Sequence, residues 1–229
     1  MKKTNYPAYK LGELVSFEVA DPDQLSFDIK TSGAIWFLRL QDMESHTGAL
    51  THKNVVNSLA QVRGAFDFFS SECVLMSRLR PNLNKVIVPE SAGVANKELI
   101  ALYPKARSED RLDRDYLAYF LRSEKFLKDV SKNVSGTTLP RIHLQWLIEY
   151  KIKVPPLKEQ LKAVAILEEC QSVLERSKNS IKKTDELVSA CYQNFFLDPE
   201  LDKNSWLRVE LDKILSIQPG RTPKVSLIN

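Results

Sequence analysis

Between Cys73 and Pro89 no acidic residue interrupts the string SRLRPNLNK, in which Arg78, Arg80 and Lys85 alternate with Asn82 and Asn84. Such side chains suit nucleic acid. Arg can donate two parallel hydrogen bonds to guanine O6 and N7, Asn can pair bidentately with adenine, and Lys attracts phosphate. The string equally fits the solvated edge of a hairpin, where charges are common and idle. A second cluster runs from Lys125 to Arg141, with Lys125, Lys128, Lys132 and Arg141 set against Asp129, and it ends in VSGTTLPRI. There Ser135, Gly136, Thr137 and Thr138 offer hydroxyls and backbone N–H groups to phosphate. No Gly-Lys-Ser/Thr ending follows, which excludes an ATP-binding loop of the Walker type.

Other chemistries find little support. Pro22, Asp23, Asp28 and Lys30 superficially resemble the acidic core of a metal-dependent nuclease, in which carboxylates hold a divalent ion. Only four residues separate the two Asp residues, the segment reads as a polar turn, and no third carboxylate is well placed. His46, His52 and His143 lack metal-ligand spacing. There is no Gly-x-Ser-x-Gly elbow and no Gly-rich dinucleotide fingerprint. The sequence offers no catalytic apparatus, and no metal or cofactor site is expected in this chain.

The elements that must position these clusters belong to an ordinary globular protein. The 229 residues are 43% hydrophobic and 27% charged, with 7 Gly and 11 Pro, which excludes disordered and fibrous classes. The net charge of +4 is spread evenly, 20 basic against 18 acidic residues in 1–150 and 13 against 11 in 151–229. Any basic surface is therefore local. Cys73, Cys170 and Cys191 are odd in number and far apart, so they read as reduced, buried thiols. Lys2 and Lys3 precede no apolar leader, and no run approaches the roughly 18 apolar residues of a membrane span. The expected compartment is the cytoplasm.

From Tyr6 to about Pro155, short apolar runs such as Ile35 to Leu40, Cys73 to Leu79 and Val86 to Val88 sit between polar turns and predict strands. Asp113 to Val130 differs. It places Tyr116, Leu117, Phe120, Leu121 and Leu127 at helical spacing behind Asp113, a suitable N-cap. After Pro155-Pro156 the stretch Leu157 to Phe196 contains neither Gly nor Pro, and predicts one helix about 60 Å long.

Counting sevens along that helix gives Leu167, Leu174, Ile181, Val188 and Phe195 at one position, with Ala163, Cys170, Ser177, Thr184 and Cys191 at the other. The seam alternates large with small, which suits close approach of an antiparallel partner helix better than a Leu-rich parallel zipper. An amphipathic helix folded onto its own domain is the plainer alternative. Finally, a shift of 200 residues aligns Tyr6 with Trp206, Leu11 with Leu211, Leu14 with Ile214, Val15 with Leu215, Ser16 with Ser216 and Phe17 with Ile217. Ser205 to Asn229 therefore reads as the opening of a second copy.

Five strings in order, YKLGELVSF at Tyr9 to Phe17, VLMSRLRPNLNKV at Val74 to Val86, LDRDYLAYFLRS at Leu112 to Ser123, SGTTLPRI at Ser135 to Ile142 and KVPPLKEQLKAVAIL at Lys153 to Leu167, resemble the DNA-specificity subunit of type I restriction-modification systems. The resemblance covers nearly the whole chain. It implies an α+β fold: a mixed, strand-rich target recognition domain over 1–155, a long helix over 156–197 that serves as spacer and pairs antiparallel in a coiled coil, and the start of a second repeat over 198–229. Complete subunits of that family carry two such domains, each reading half of a split site in double-stranded DNA. Methyltransferase subunits, which use S-adenosylmethionine, and an ATP-driven, Mg-dependent restriction motor subunit dock on them, so those cofactors belong to the partners.

This chain has about half the length of a complete two-domain subunit, which suggests either a truncated form or a half-subunit that self-associates as a homodimer, restoring two domains by symmetry. Carried over residue by residue, the DNA contacts are Arg78, Arg80, Asn82, Asn84, Lys85, Thr137, Thr138 and Arg141. The loop Arg39 to Thr51 is a further place for base-reading residues. A coiled-coil adaptor and a stand-alone DNA-modifying enzyme remain the rival readings.

Overall fold

The computed structural model describes residues 6–17, 33–105, 112–136, 138–197 and 209–216. The chain falls into two compact units, 1–171 and 172–229. The first is α+β. Its strands are β1 (Ala8–Lys10), β2 (Val15–Ser16), β3 (Ile35–Leu38), β4 (Val55–Val56), β5 (Phe66–Phe69), β6 (Val74–Ser77), β7 (Val86–Ile87), β8 (Gly93–Asn96), β9 (Leu99–Pro104), β10 (Val134–Ser135), β11 (Arg141–Ile142) and β12 (Lys151–Lys153).

Two four-stranded sheets carry the domain, one in the order β4-β3-β8-β5 and one in the order β2-β9-β6-β7. All pairs are antiparallel except β3 with β8, where Trp36 lies against Gly93 and Leu38 against Ala95. Gly93 permits that approach, because a Cβ there would collide with the Trp36 carbonyl and the Phe69 ring. Short two-stranded pairs, β1 with β12 and β10 with β11, complete the set.

The period of two along β6 divides the core. Val74 and Met76 face a helical layer, whereas Cys73 and Leu75 face the other sheet and its Trp36, Leu38 and Phe69. The mixed sheet is covered on its outer face too, by Ile35, Phe37 and Val94 packing under Val62. Both sheets therefore read as near-continuous apolar runs rather than as clean alternation.

The helical layer contains α1 (Leu11–Leu14), α2 (Arg114–Arg122), α3 (Glu124–Ser131) and α4 (Leu144–Glu149). Asp113 caps α2 by accepting from the Tyr116 N–H at 2.8 Å, as its position predicts. The helical spacing read over Asp113 to Val130 is carried by two helices. Ser123 adopts an extended φ of −65° and ψ of 145°, ending α2, and its Oγ accepts from the Phe126 N–H to start α3. A serine whose hydroxyl replaces a backbone partner makes that break inexpensive.

The long helix α5 spans Leu157–Leu197, 41 residues, and runs from the first unit into the second. Its first turns are fixed to the domain. The buried Gln160 amide accepts from the Asp113 N–H at 2.9 Å and donates to the Pro155 carbonyl at 2.8 Å, and Val164 is buried. Farther along, the seam residues Leu174, Ile181 and Val188 are exposed. The expectation that all three cysteines are buried is corrected: Cys73 is buried, but Cys170 and Cys191 stand exposed on α5. In the second unit a further short helix, α6 (Leu211–Ile214), follows. No helix among the described residues is long and apolar enough to cross a membrane.

Candidate nucleic-acid interface

The chain leaves β6 at Arg78 and folds into a closed loop. Ser77 Oγ donates to the Leu79 carbonyl at 2.7 Å, the Ser77 N–H to the Lys85 carbonyl at 2.9 Å, and Pro81–Leu83 forms a single 3-10 turn. Arg80 and Asn84 bracket that turn in the left-handed region, with φ of 48° and 45°. Asn tolerates this region; an Arg held there is strained and kept by its surroundings.

Those surroundings include the second sequence cluster, more than 50 residues away in the chain. The Arg80 N–H donates to the Pro140 carbonyl at 2.7 Å, the Ile142 N–H donates to the Arg78 carbonyl at 2.9 Å, and Leu79 bridges to Arg141. The SRLRPNLNK and TTLPRI strings thus lie side by side. The Arg39 to Thr51 loop joins them, since the His46 N–H donates to the Asn84 carbonyl at 3.3 Å and Lys85 Nζ to the Leu40 carbonyl at 2.7 Å.

Within that loop Arg39 grips the buried Asp42 through Nε at 2.9 Å and Nη2 at 2.7 Å. Its tip, turned by His46 and by Gly48 at a φ of 78°, is held from behind by Arg122. The Arg122 guanidinium donates to the Thr47 carbonyl at 2.8 Å and stacks 4.3 Å over the Tyr119 ring. A side chain at Gly48 would occupy the guanidinium's place.

The eight sequence candidates divide on this surface. Arg80, Asn82 and Thr138 are exposed, and no side-chain partner engages them among the described residues. Arg78 is half-buried, with an Nε that finds no partner among the described residues. Asn84, Lys85 and Arg141 are engaged inside the domain in place of the free presentation their types suggest. The buried Asn84 amide donates to the Arg122 carbonyl at 2.9 Å, and Arg141 forms a fork with Glu98, Nη2 to Oε1 at 2.7 Å and Nε to both oxygens at 3.1 Å. That fork holds the Glu98 carboxyl below its ordinary pKa, with the nearby charges of Arg141 and Arg78 acting in the same direction. Thr137 lies outside the described residues, as do Pro22, Asp23, Asp28 and Lys30.

Glu98 and Arg122 escaped the sequence reading. Glu98 is a lone carboxylate in the turn between β8 and β9, and Arg122 closes a helix where a basic residue is ordinary; neither position carries a local signal. Among the described residues no three His, Cys, Asp or Glu side chains are grouped to hold a metal.

The two-sheet domain thus gathers two basic strings and the polar 39–51 loop on one surface. Residues 5–183 match the type I restriction modification DNA specificity domain, and the chain belongs to that family of non-catalytic specificity subunits. It is 32% identical over 82 residues, 34% of this chain and 19% of the relative, to the type I restriction enzyme MjaVIII specificity subunit of Methanocaldococcus jannaschii. It is 22% identical over 158 residues, 67% of this chain and 34% of the relative, to the EcoDI specificity subunit of Escherichia coli.

Its fold resembles the HsdS subunit of Thermoanaerobacter tengcongensis, with a TM-score of 0.58 at 19% identity over 87% of this chain and 52% of that one. A solved chain from work on complex assembly and conformational transition of the type I R-M system gives a TM-score of 0.63 at 19% identity, covering 97% of this chain and 59% of that one. The chain thus spans about half the length of these solved structures.

Proposed function

We propose that this chain reads one half of a bipartite duplex DNA site through the loops 39–51, 78–85 and 136–142, and that two copies pair through α5 to read both halves. The observation that carries the DNA reading is the meeting of two basic strings, remote in sequence, on one surface that leaves Arg80, Asn82 and Thr138 free. Thr137 belongs to the same proposed loop. Asn84, Lys85 and Arg141 act as braces for that surface and bring charge near phosphate.

The exposure of Leu174, Ile181 and Val188 on α5, together with the large-and-small alternation of the seam, favours a second copy of the chain. A parallel pair would stack large on large and small on small in alternate layers. An antiparallel pair centred on Asn179 sets Leu167 against Cys191 of the second copy, Leu174 against Thr184, Ile181 against Ser177, Val188 against Cys170 and Phe195 against Ala163. Five pairings then each set one large residue against one small one, one more than a shift by a heptad in either direction provides. Such a dimer recognises an inverted repeat with a fixed spacer.

In this reading the chain recruits methyltransferase and restriction motor subunits, and S-adenosylmethionine, ATP and Mg belong to them. Light scattering at low micromolar concentration tests the pairing: twice 26.2 kDa is expected, falling to 26.2 kDa in Ile181→Asp. A cognate duplex retarded in a gel while its scrambled counterpart runs free supports the DNA reading; equal retardation of both overturns it. Metal-dependent cleavage or methylation by the purified chain alone would favour an enzyme instead.

A further inference from the structure

The carboxyl ends of the two parallel strands, β3 and β8, open into a cleft of about 550 Å³. Phe37 and Val56 line its apolar part, and Arg39, Gln41, Asn54, Gln61, Arg63 and Asn96 supply its polar groups. Two of the amides are already oriented. Gln61 Oε1 accepts from the Asn57 N–H at 2.9 Å, and Asn96 Oδ1 accepts from the Glu98 N–H at 2.9 Å. Each therefore has its NH₂ group left to offer. Arg39 is held by Asp42, whereas the exposed Arg63 has no partner among the described residues.

The cleft is continuous with the loop surface. Asn96 lines it, and two residues on, Glu98 holds Arg141 through its carboxylate while its carbonyl accepts from the Arg78 N–H at 2.9 Å. On the other side Leu40 lines the cleft and accepts from Lys85.

We infer that this cleft is a base-reading site, and that Arg63, with the oriented Gln61 and Asn96 amides beside it, selects a guanine edge in the major groove. The reasoning is one of matching: the fixed groups are donors, and of the four bases guanine alone presents two adjacent acceptors, O6 and N7, without a donor between them. The inference rests on the DNA reading above. It adds to the loops 78–85 and 136–142 a separate set of residues that choose one base of the site.

Selection from a random-sequence duplex pool, run with the full wild-type chain and with Arg63→Ala, tests it. Arg63 is exposed, so its removal leaves the fold intact, and Gln61→Ala is the second variant. Arg63→Ala is expected to erase a guanine from the selected consensus, with about a tenfold loss of preference at that position, while binding to unselected DNA stays the same. A variant that enriches the wild-type consensus with equal strength overturns the cleft assignment alone. A wild-type chain that enriches no sequence overturns the DNA reading together with it.

Discussion

Residues 10–15 and 210–215 are two versions of one turn. Each places a four-residue helix between extended residues, Lys10 at φ −69° and ψ 142° and Val15 at −124° and 152° in the first, Glu210 at −64° and 140° and Leu215 at −126° and 133° in the second. Their burial is opposite. Leu11, Leu14 and Val15 are 0%, 2% and 1% exposed, whereas Leu211, Ile214 and Leu215 are 61%, 63% and 53% exposed. Local sequence is enough to set the turn. A core requires more: the first copy sits under Val74, Leu102, Leu147 and Ile152, all brought from elsewhere in the chain. The same contrast between a covered and an uncovered version of one chemistry recurs across the molecule, and each instance can be tested.

The largest effect is expected at the turns themselves. Leu11→Ala should cost about 2–5 kcal/mol in urea denaturation, and Leu211→Ala no more than about 0.5 kcal/mol. Equal costs would mean that the second copy is covered after all.

The two loop asparagines and arginines come next. Asn84→Ala removes a buried donor to the Arg122 carbonyl and should cost about 1–3 kcal/mol of stability, whereas Asn82→Ala should be neutral. Conversely, Arg80→Ala should weaken DNA binding by about 1–3 kcal/mol with an unchanged unfolding midpoint and unchanged dimer mass. Unchanged affinity for cognate DNA would remove Arg80 from the interface.

The thiols give a chemical version. Burial pushes the Cys73 pKa up to about 12, so at pH 8 an alkylating reagent should modify Cys170 and Cys191 while sparing Cys73 until the chain unfolds. Mass spectrometry of the labelled protein reads the outcome, and dimer formation should slow labelling at both helix positions.

The smallest effect concerns Glu98. Its folded pKa lies below the ordinary value, so the stability it contributes is present above the unfolded carboxylate pKa and is lost as pH falls through the folded one. The difference in urea midpoint between wild type and Glu98→Gln should therefore be present at neutral pH and shrink on acidification. A constant difference would show that the Arg141 fork does not couple to folding.

What the sequence made legible was local. Asp113 as a cap, the strands around Ile35, Val74 and Val86, and the Gly- and Pro-free helix after Pro156 all announce themselves within a few residues, because capping, alternation and backbone dihedral restrictions act at that range. The break at Ser123 was hidden because an extended serine differs from a helical one only through the bond its hydroxyl makes. The two basic strings were visible, but not that Arg80 would be free while Arg141 was held.

That division has a physical reason. Composition and periodicity, by themselves, determined most of the element types, the long helix with its large-and-small seam and the two polar strings. Only the tertiary structure decided that β3 and β8 run parallel, that the two strings meet, that Glu98 rather than solvent faces Arg141, and that one copy of the repeated turn is buried and the other bare. Hydrogen bonds and packing between residues remote in sequence exist only after the chain has closed its loops, and no local pattern records which partner each side chain will find.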